Sequence, residues 1–278
     1  MNYIMVLLSA IKNIIIRPKV FVKFSPIENG KRLKNKKILI TGGTTGIGYA
    51  MAKKFIAEGA VVLITGRDRS KIMKACRELG EKCFGLEFDI TQFSYIQEKY
   101  DEACKILKGD IDCLVCNAGI SLHEPNILEV TKEGFETQLD TNLEGSYLLV
   151  QEHLRKLTDR RQLNDKVILF ISSERGMQCD DVPYGLSKVA INSLTRGISR
   201  RFYRYGVRCN AIAPGITASN MTKIDPQGDL YCERLASKRY FIPDEIAEVA
   251  AFLLSDASSC ISGEVIACDA GEYLSSYI

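Results

Sequence analysis

The chain contains no tryptophan, no low-complexity segment, no repeat of solenoid period and no linker, which excludes solenoids and flexibly joined modules. Its apolar leader segment, IMVLLSAIKNIII at residues 4–16, is shorter than the roughly 20 residues that cross a bilayer. Basic residues interleaved with aromatics, the pattern that reads nucleic acid, are missing, so no nucleic-acid partner is expected. A cleavable export signal is missing too, and the ten cysteines are scattered through apolar runs. They imply a reducing, cytoplasmic setting and no disulfide framework. What is present is a chain of 278 residues, 46% apolar, enough for one large core.

Charge is unevenly spread. Residues 1–37 hold nine Lys or Arg against one acid, Glu28, a balance of +8 that leaves −5 for the rest of a chain whose net charge is +3. The sequence therefore divides into a basic, apolar N-terminal extension, 1–35, and a mildly acidic body, 36–278. Within residues 1–24 the apolar stretch precedes Arg17, Lys19 and Lys23. That pattern suits a peripheral membrane contact on anionic head groups, and equally a segment packed on the body or across a subunit contact.

From residue 37 short β-branched runs alternate with longer amphipathic stretches. Strands are predicted at 37–41, 61–65, 83–88, 113–116, 167–172, 207–213 and 264–268. Helices are predicted at about 47–58, 69–79, 94–107, 132–157, 184–205 and 243–255. This order is the α/β class, a doubly wound, Rossmann-like parallel sheet of about seven strands in a single domain, with ligands at the carboxyl ends of the strands. Cys113 and Cys116 form a C-x-x-C, but it lies in the run IDCLVC, where a buried strand is expected. They read as core, and no metal site is assigned.

The first strand ends in TGGTTGIG, residues 41–48. Gly42, Gly46 and Gly48 follow a strand and open a helix, where backbone amides and the positive helix end can approach a pyrophosphate. A tight turn that binds nothing is the plain alternative. Farther on, PYGLSK places Tyr184 and Lys188 four residues apart, on one face of a helix, where the ammonium can favour the ionised phenol. A phenol so tuned can serve as an acid or base near neutrality.

Taken together these motifs resemble the short-chain dehydrogenase/reductase family, in its single-domain form, most like the 3-oxoacyl-carrier-protein reductases. The glycine turn is similar to the family's cofactor turn, and Cys116-Asn117-Ala118-Gly119 to its N-N-A-G. Asn142, Ser173, Tyr184 and Lys188 match its Asn-Ser-Tyr-Lys tetrad, and Pro214-Gly215 matches the turn after the sixth strand. Ser173 is preferred over Ser172 because Gly176 follows it at the family's spacing. The resemblance implies an oxidoreductase moving a hydride between a nicotinamide cofactor and a carbonyl/alcohol substrate. In it Tyr184 is the acid/base, Ser173 holds the carbonyl oxygen, Lys188 lowers the tyrosine pKa and binds the ribose, and Asn142 positions a water. Cofactor contacts are implied for Gly42, Thr44, Thr45, Gly46, Ile47, Gly48, Arg67, Asp89, Ile90, Asn117, Ala118, Gly119, Tyr184, Lys188, Pro214, Gly215 and Ile216.

Gly66 stands where NAD-preferring relatives carry Asp, and Arg67 follows it. NADP(H) is therefore favoured over NAD(H), with Asp68 as the opposing signal. The lid after Pro214-Gly215, roughly residues 216–240, holds Lys223, Asp225, Asp229, Arg234, Lys238 and Arg239 and no strongly apolar run. A polar, sugar-like carbonyl fits it at least as well as a steroid or long acyl chain. The resemblance also implies a homodimer or homotetramer paired through the helices near 132–157 and 184–205. Two alternatives are a sugar-nucleotide epimerase or dehydratase and a catalytically idle nucleotide-binding protein.

Overall fold

The computed structural model describes residues 19–21 and 30–275. Seven strands form one parallel sheet in the order β3-β2-β1-β4-β5-β6-β7. They are β1 (Lys37–Ile40), β2 (Val61–Gly66), β3 (Cys83–Glu87), β4 (Cys113–Cys116), β5 (Lys166–Ile171), β6 (Val207–Pro214) and β7 (Val265–Cys268). Each apolar run feeds both faces of the sheet. Ile38 and Ile40 of β1 face one core with Met51, Phe55, Ile246 and Leu254, while Leu39 between them faces the other with Tyr100, Leu149, Ile191 and Ile198. Two covered faces explain why the strands read as continuous apolar runs.

The helices are α1 (Gly46–Ala57), α2 (Arg69–Leu79), α3 (Ile96–Ile106), α4 (Lys132–Leu139), α5 (Gly145–Asp159), α6 (Pro183–Phe202), α7 (Pro243–Leu254) and the short α8 (Glu272–Ser275). Local chemistry sets their starts. Asp68 caps α2 by accepting from the amides of Ser70 and Lys71, and Thr131 caps α4 through the amide of Gly134. Proline opens both α6 and α7, where its missing amide hydrogen costs no helix bond.

The stretch predicted as one helix over 132–157 is two, α4 and α5, joined by a π-helical turn at Asp140–Glu144. Thr141 Oγ1 donates back to the Thr137 carbonyl at 2.9 Å, a bond that bends helices. The turn carries Asn142 at its centre. Strand order reverses between β1 and β4, the two neighbours at the middle of the sheet, which opens a crevice at their carboxyl ends.

Part of the sequence-defined extension packs on the body. Leu33 is fully buried, and Arg32 pairs with Glu58 at the end of α1 and with Glu248 of α7. Lys54 of α1 meets both of these carboxylates. Upstream, Leu230 N donates to the Val20 carbonyl at 2.9 Å and Val20 N donates to Asp229 Oδ1 at 3.2 Å, so residues 19–21 lie along the lid. The remainder of the apolar and basic leader expected at residues 1–24 lies outside the described residues. Among the described residues no helix is long and apolar enough to cross a membrane.

Candidate active site

A cleft of about 830 Å³ opens at the crevice between β1 and β4 and runs under the lid. All the residues proposed from sequence for cofactor contact line it: the glycine turn with Thr44 and Thr45, then Arg67, Asp89 and Ile90, Asn117 to Gly119, and Pro214 to Ile216. Ser173, Tyr184 and Lys188 line its other half.

The glycine turn is held from behind. Asn117 Nδ2 donates to the carbonyls of Thr41 and Gly42 at 3.0 and 2.8 Å. Thr41 Oγ1 accepts from the amides of Asn117 and Ala118. Asn117 thus acts as a brace for the turn as well as a wall of the cleft. Gly48 sits so close to this brace that a Cβ would lie 2.3 Å from the Gly42 carbonyl oxygen, which excludes any side chain. Thr45, the residue before α1, makes no side-chain cap. The first amides of α1 are therefore left for an anion, and a dinucleotide pyrophosphate fits that cradle.

At the end of β2, Arg67 is exposed at the cleft wall. Asp68 is occupied elsewhere: Oδ1 accepts from Ser70 N, Ser70 Oγ and Lys71 N. The acidic residue that opposed the NADP reading is thus committed to capping α2. Asp89 accepts from the amide and hydroxyl of Thr91 through Oδ1.

The tetrad residues converge. Lys188 is buried in the first half of α6, and Nζ donates to the Ile171 carbonyl at 3.0 Å and lies 5.5 Å from the centroid of the Tyr184 ring. Burial pulls the ammonium down to about 8. Burial is also the dominant influence on Tyr184, pushing the phenol up, while the hydroxyl of Ser173 hydrogen-bonds it and acts in the opposite sense. The expectation that Lys188 lowers the tyrosine pKa is not met: loss of hydration is the largest influence, and the phenol keeps its proton at neutrality. The two candidate serines separate cleanly. Ser172 Oγ donates to Asn192 Oδ1 at 2.6 Å, turned into α6, whereas Ser173 stands beside the phenol and also accepts from Arg175 N.

Asn142 is buried, and its side chain is nearly saturated. Oδ1 accepts from Ile120 N at 2.8 Å, and Nδ2 donates to the Ile120 carbonyl at 2.9 Å and to Ser187 Oγ at 3.2 Å. The π-turn thereby grips the loop after β4. For a water, the side chain offers only a remaining lone pair on Oδ1.

Several cleft residues escaped the sequence reading. Glu174, directly after Ser173, lines the cleft, and burial pushes its carboxyl up to about 7. His123 lines the mouth, with Nε2 at 3.1 Å from the Met221 carbonyl of the lid. The motif SSERG placed an acid beside the serine, but only the fold shows that it is desolvated.

A family model described as Enoyl-(Acyl carrier protein) reductase matches residues 42–272. The chain is a short-chain dehydrogenase/reductase. It is 33% identical to the oxidoreductase asL5 of Sarocladium schorii over 245 residues, covering 87% of this chain and 97% of that one. It is 32% identical to the 3-oxoacyl-[acyl-carrier-protein] reductase FabG of Aquifex aeolicus over 250 residues, with coverage of 87% and 99%. The crystal structure of a 3-ketoacyl-(acyl-carrier-protein) reductase from Brucella melitensis complexed with NADH superimposes with a TM-score of 0.78, at 27% identity and coverage of 87% and 99%. As a member of this family the chain is an oxidoreductase of carbonyl and CH-OH groups, and it uses a nicotinamide cofactor.

Proposed function

We propose that this chain is an NADPH-dependent carbonyl reductase in which Tyr184 delivers the proton. The observation that carries the reading is the partly buried Tyr184, hydrogen-bonded by Ser173 and with Lys188 Nζ 5.5 Å from its ring centroid, in the same cleft as the glycine turn. When bound, the nicotinamide supplies the hydride. The amides at the start of α1 hold the pyrophosphate, and Arg67 with Thr44 and Thr45 takes the 2′-phosphate. Ser173 donates to the substrate carbonyl oxygen and fixes it against the phenol. Tyr184 then gives its proton to that oxygen as charge develops there. Lys188, charged at neutrality, stabilises the tyrosinate left behind, so its influence is felt most after transfer. Asn142 keeps the loop after β4 in register with α6.

An idle nucleotide-binding role is disfavoured by the convergence of all four side chains with their supporting bonds. Phe135, Tyr147, Leu186 and Val189 on α4, α5 and α6 are large, apolar and exposed, which supports pairing with a second copy through those helices. The apolar and basic leader supports attachment at a membrane surface. A panel of ketones offered with NADPH and with NADH tests the function itself. Consumption of NADPH well above that of NADH with at least one ketone is expected, and the absence of any carbonyl-dependent oxidation of either cofactor would refute it.

A further inference from the structure

Glu174 opens the 3-10 turn Glu174–Met177 immediately after Ser173 and lines the cleft beside Tyr184. Its Oε2 is shut off from solvent and has no hydrogen-bond partner. The charged groups facing it are Asp269, Glu272, Arg175 and Arg234, and all four are engaged with other partners. Asp269 accepts from the amides of Gly271 and Tyr273, Glu272 accepts from Ala236 N, and Arg175 donates to Asp180. Arg234, exposed at the cleft wall, hydrogen-bonds Cys232. A desolvated carboxyl oxygen without a partner is rare in a folded protein and calls for a donor to complete it. Its position next to the serine that would hold the carbonyl oxygen puts that donor on the substrate.

We propose that Glu174 is a specificity-determining residue that hydrogen-bonds a substrate hydroxyl, so that the preferred substrates are hydroxylated, polyol-type ketones. This rests on the carbonyl-reductase reading above. A hydroxyl is favoured over an ammonium for two reasons. Two guanidiniums, Arg175 and Arg234, face the same carboxyl and weaken its pull on a cation. Held near 7, the carboxyl is also neutral in a large fraction of molecules at neutral pH; a hydroxyl can accept from its neutral form or donate to its ionised form, whereas an ammonium needs the ionised one.

The test compares kcat/KM for L-erythrulose and for 2-butanone, which share a four-carbon skeleton and differ in hydroxyls, in the full chain, Glu174→Gln and Glu174→Leu. Because hydroxyketones are intrinsically more reactive, the readout is the change in the ratio between proteins. The erythrulose preference is expected to fall by at least about tenfold in Glu174→Leu and to stay within about threefold in Glu174→Gln, whose amide still meets a hydroxyl. Unchanged NADPH binding in both variants checks their folding. A ratio that does not move in Glu174→Leu overturns the assignment, as does a parent chain that prefers aminoacetone to hydroxyacetone. Saturation-transfer NMR of erythritol on the protein with NADP added separates this inference from its premise. If no ketone turns over, an erythritol signal that is present with the parent chain and disappears with Glu174→Leu supports the role of Glu174 while the reductase reading falls, and a signal equal in the two proteins overturns both.

Discussion

Replacing Lys188 by Met should make the protein inactive and change how its stability depends on pH. The ammonium is 5% exposed and is held near 8, against an ordinary 10.5, which corresponds to a cost of about 3 kcal/mol at pH 7 for keeping the charge in the folded chain. Below pH 8 the lysine is protonated in both folded and unfolded chains, and the full cost is present. Above 10.5 it is neutral in both and the cost is gone, so this contribution to stability rises with pH between the two. At pH 9.5 the remaining cost is about 1 kcal/mol, so the parent chain should gain about 2 kcal/mol relative to Lys188→Met on going from pH 7 to 9.5. Loss of the bond from Nζ to the Ile171 carbonyl destabilises the variant by about 1–3 kcal/mol, but that offset is the same at both pH values. Urea unfolding followed by far-ultraviolet circular dichroism is the suitable assay, since there is no tryptophan. A stability difference between the two proteins that is equal at pH 7 and 9.5 would refute the claim that Lys188 is held charged against burial.

The charge cluster at the N-terminal end of the packed body also gains stability as pH rises, but in the acid range and because its ion pairs favour the fold. Burial opposes ionisation of Glu58, but Arg32 and Lys54 bring its carboxyl down to about 2; Glu58→Gln should cost about 3 kcal/mol at pH 7 and about half that at pH 3, because the contribution is complete above about 4.5 and is lost as pH falls through 2. A cost independent of pH in urea titrations would show that the cluster acts by packing alone. Arg67→Ala should raise KM for NADPH by about tenfold or more and leave KM for NADH within about threefold; equal effects on both cofactors would remove Arg67 from the 2′-phosphate. A chain beginning at Gly30 loses the two bonds from Val20 to the lid, each worth about 1 kcal/mol, and should show a KM for ketone raised several-fold with kcat nearly unchanged. The same truncation studied by cell fractionation tests the leader, and an unchanged soluble distribution would argue against membrane attachment.

Features set by short-range chemistry were readable from sequence. The β-branched runs, the glycine spacing of residues 41–48, the prolines opening α6 and α7 and the four-residue interval from Tyr184 to Lys188 depend on neighbours within one turn or strand. What escaped depends on residues brought together by the fold. The π-turn at Asn142 is gripped by Ile120, which the sequence separates from it by 22 positions, and a helical periodicity cannot show an inserted residue of that kind. Asn117 read as a cleft wall and proved also to brace the glycine turn, because its partners lie at the end of another strand. The cap role of Asp68 was within reach, since Ser70 and Lys71 follow it directly. The Tyr184–Lys188 pair is another case: spacing shows the lysine beside the tyrosine, but burial, which only the assembled fold supplies, pushes the phenol up. Glu174 is the same lesson, for burial pushes its carboxyl up, and Asp269 and Glu272, some hundred residues farther along the chain, add to that push.

Tyr184→Phe removes one oxygen and leaves the ring, the serine and the lysine in place. With the best ketone of the panel and saturating NADPH, kcat is expected to fall by about 10²–10⁴-fold while the affinity for NADPH stays within about threefold. A variant that retains the kcat of the parent chain would contradict Tyr184 as the proton donor.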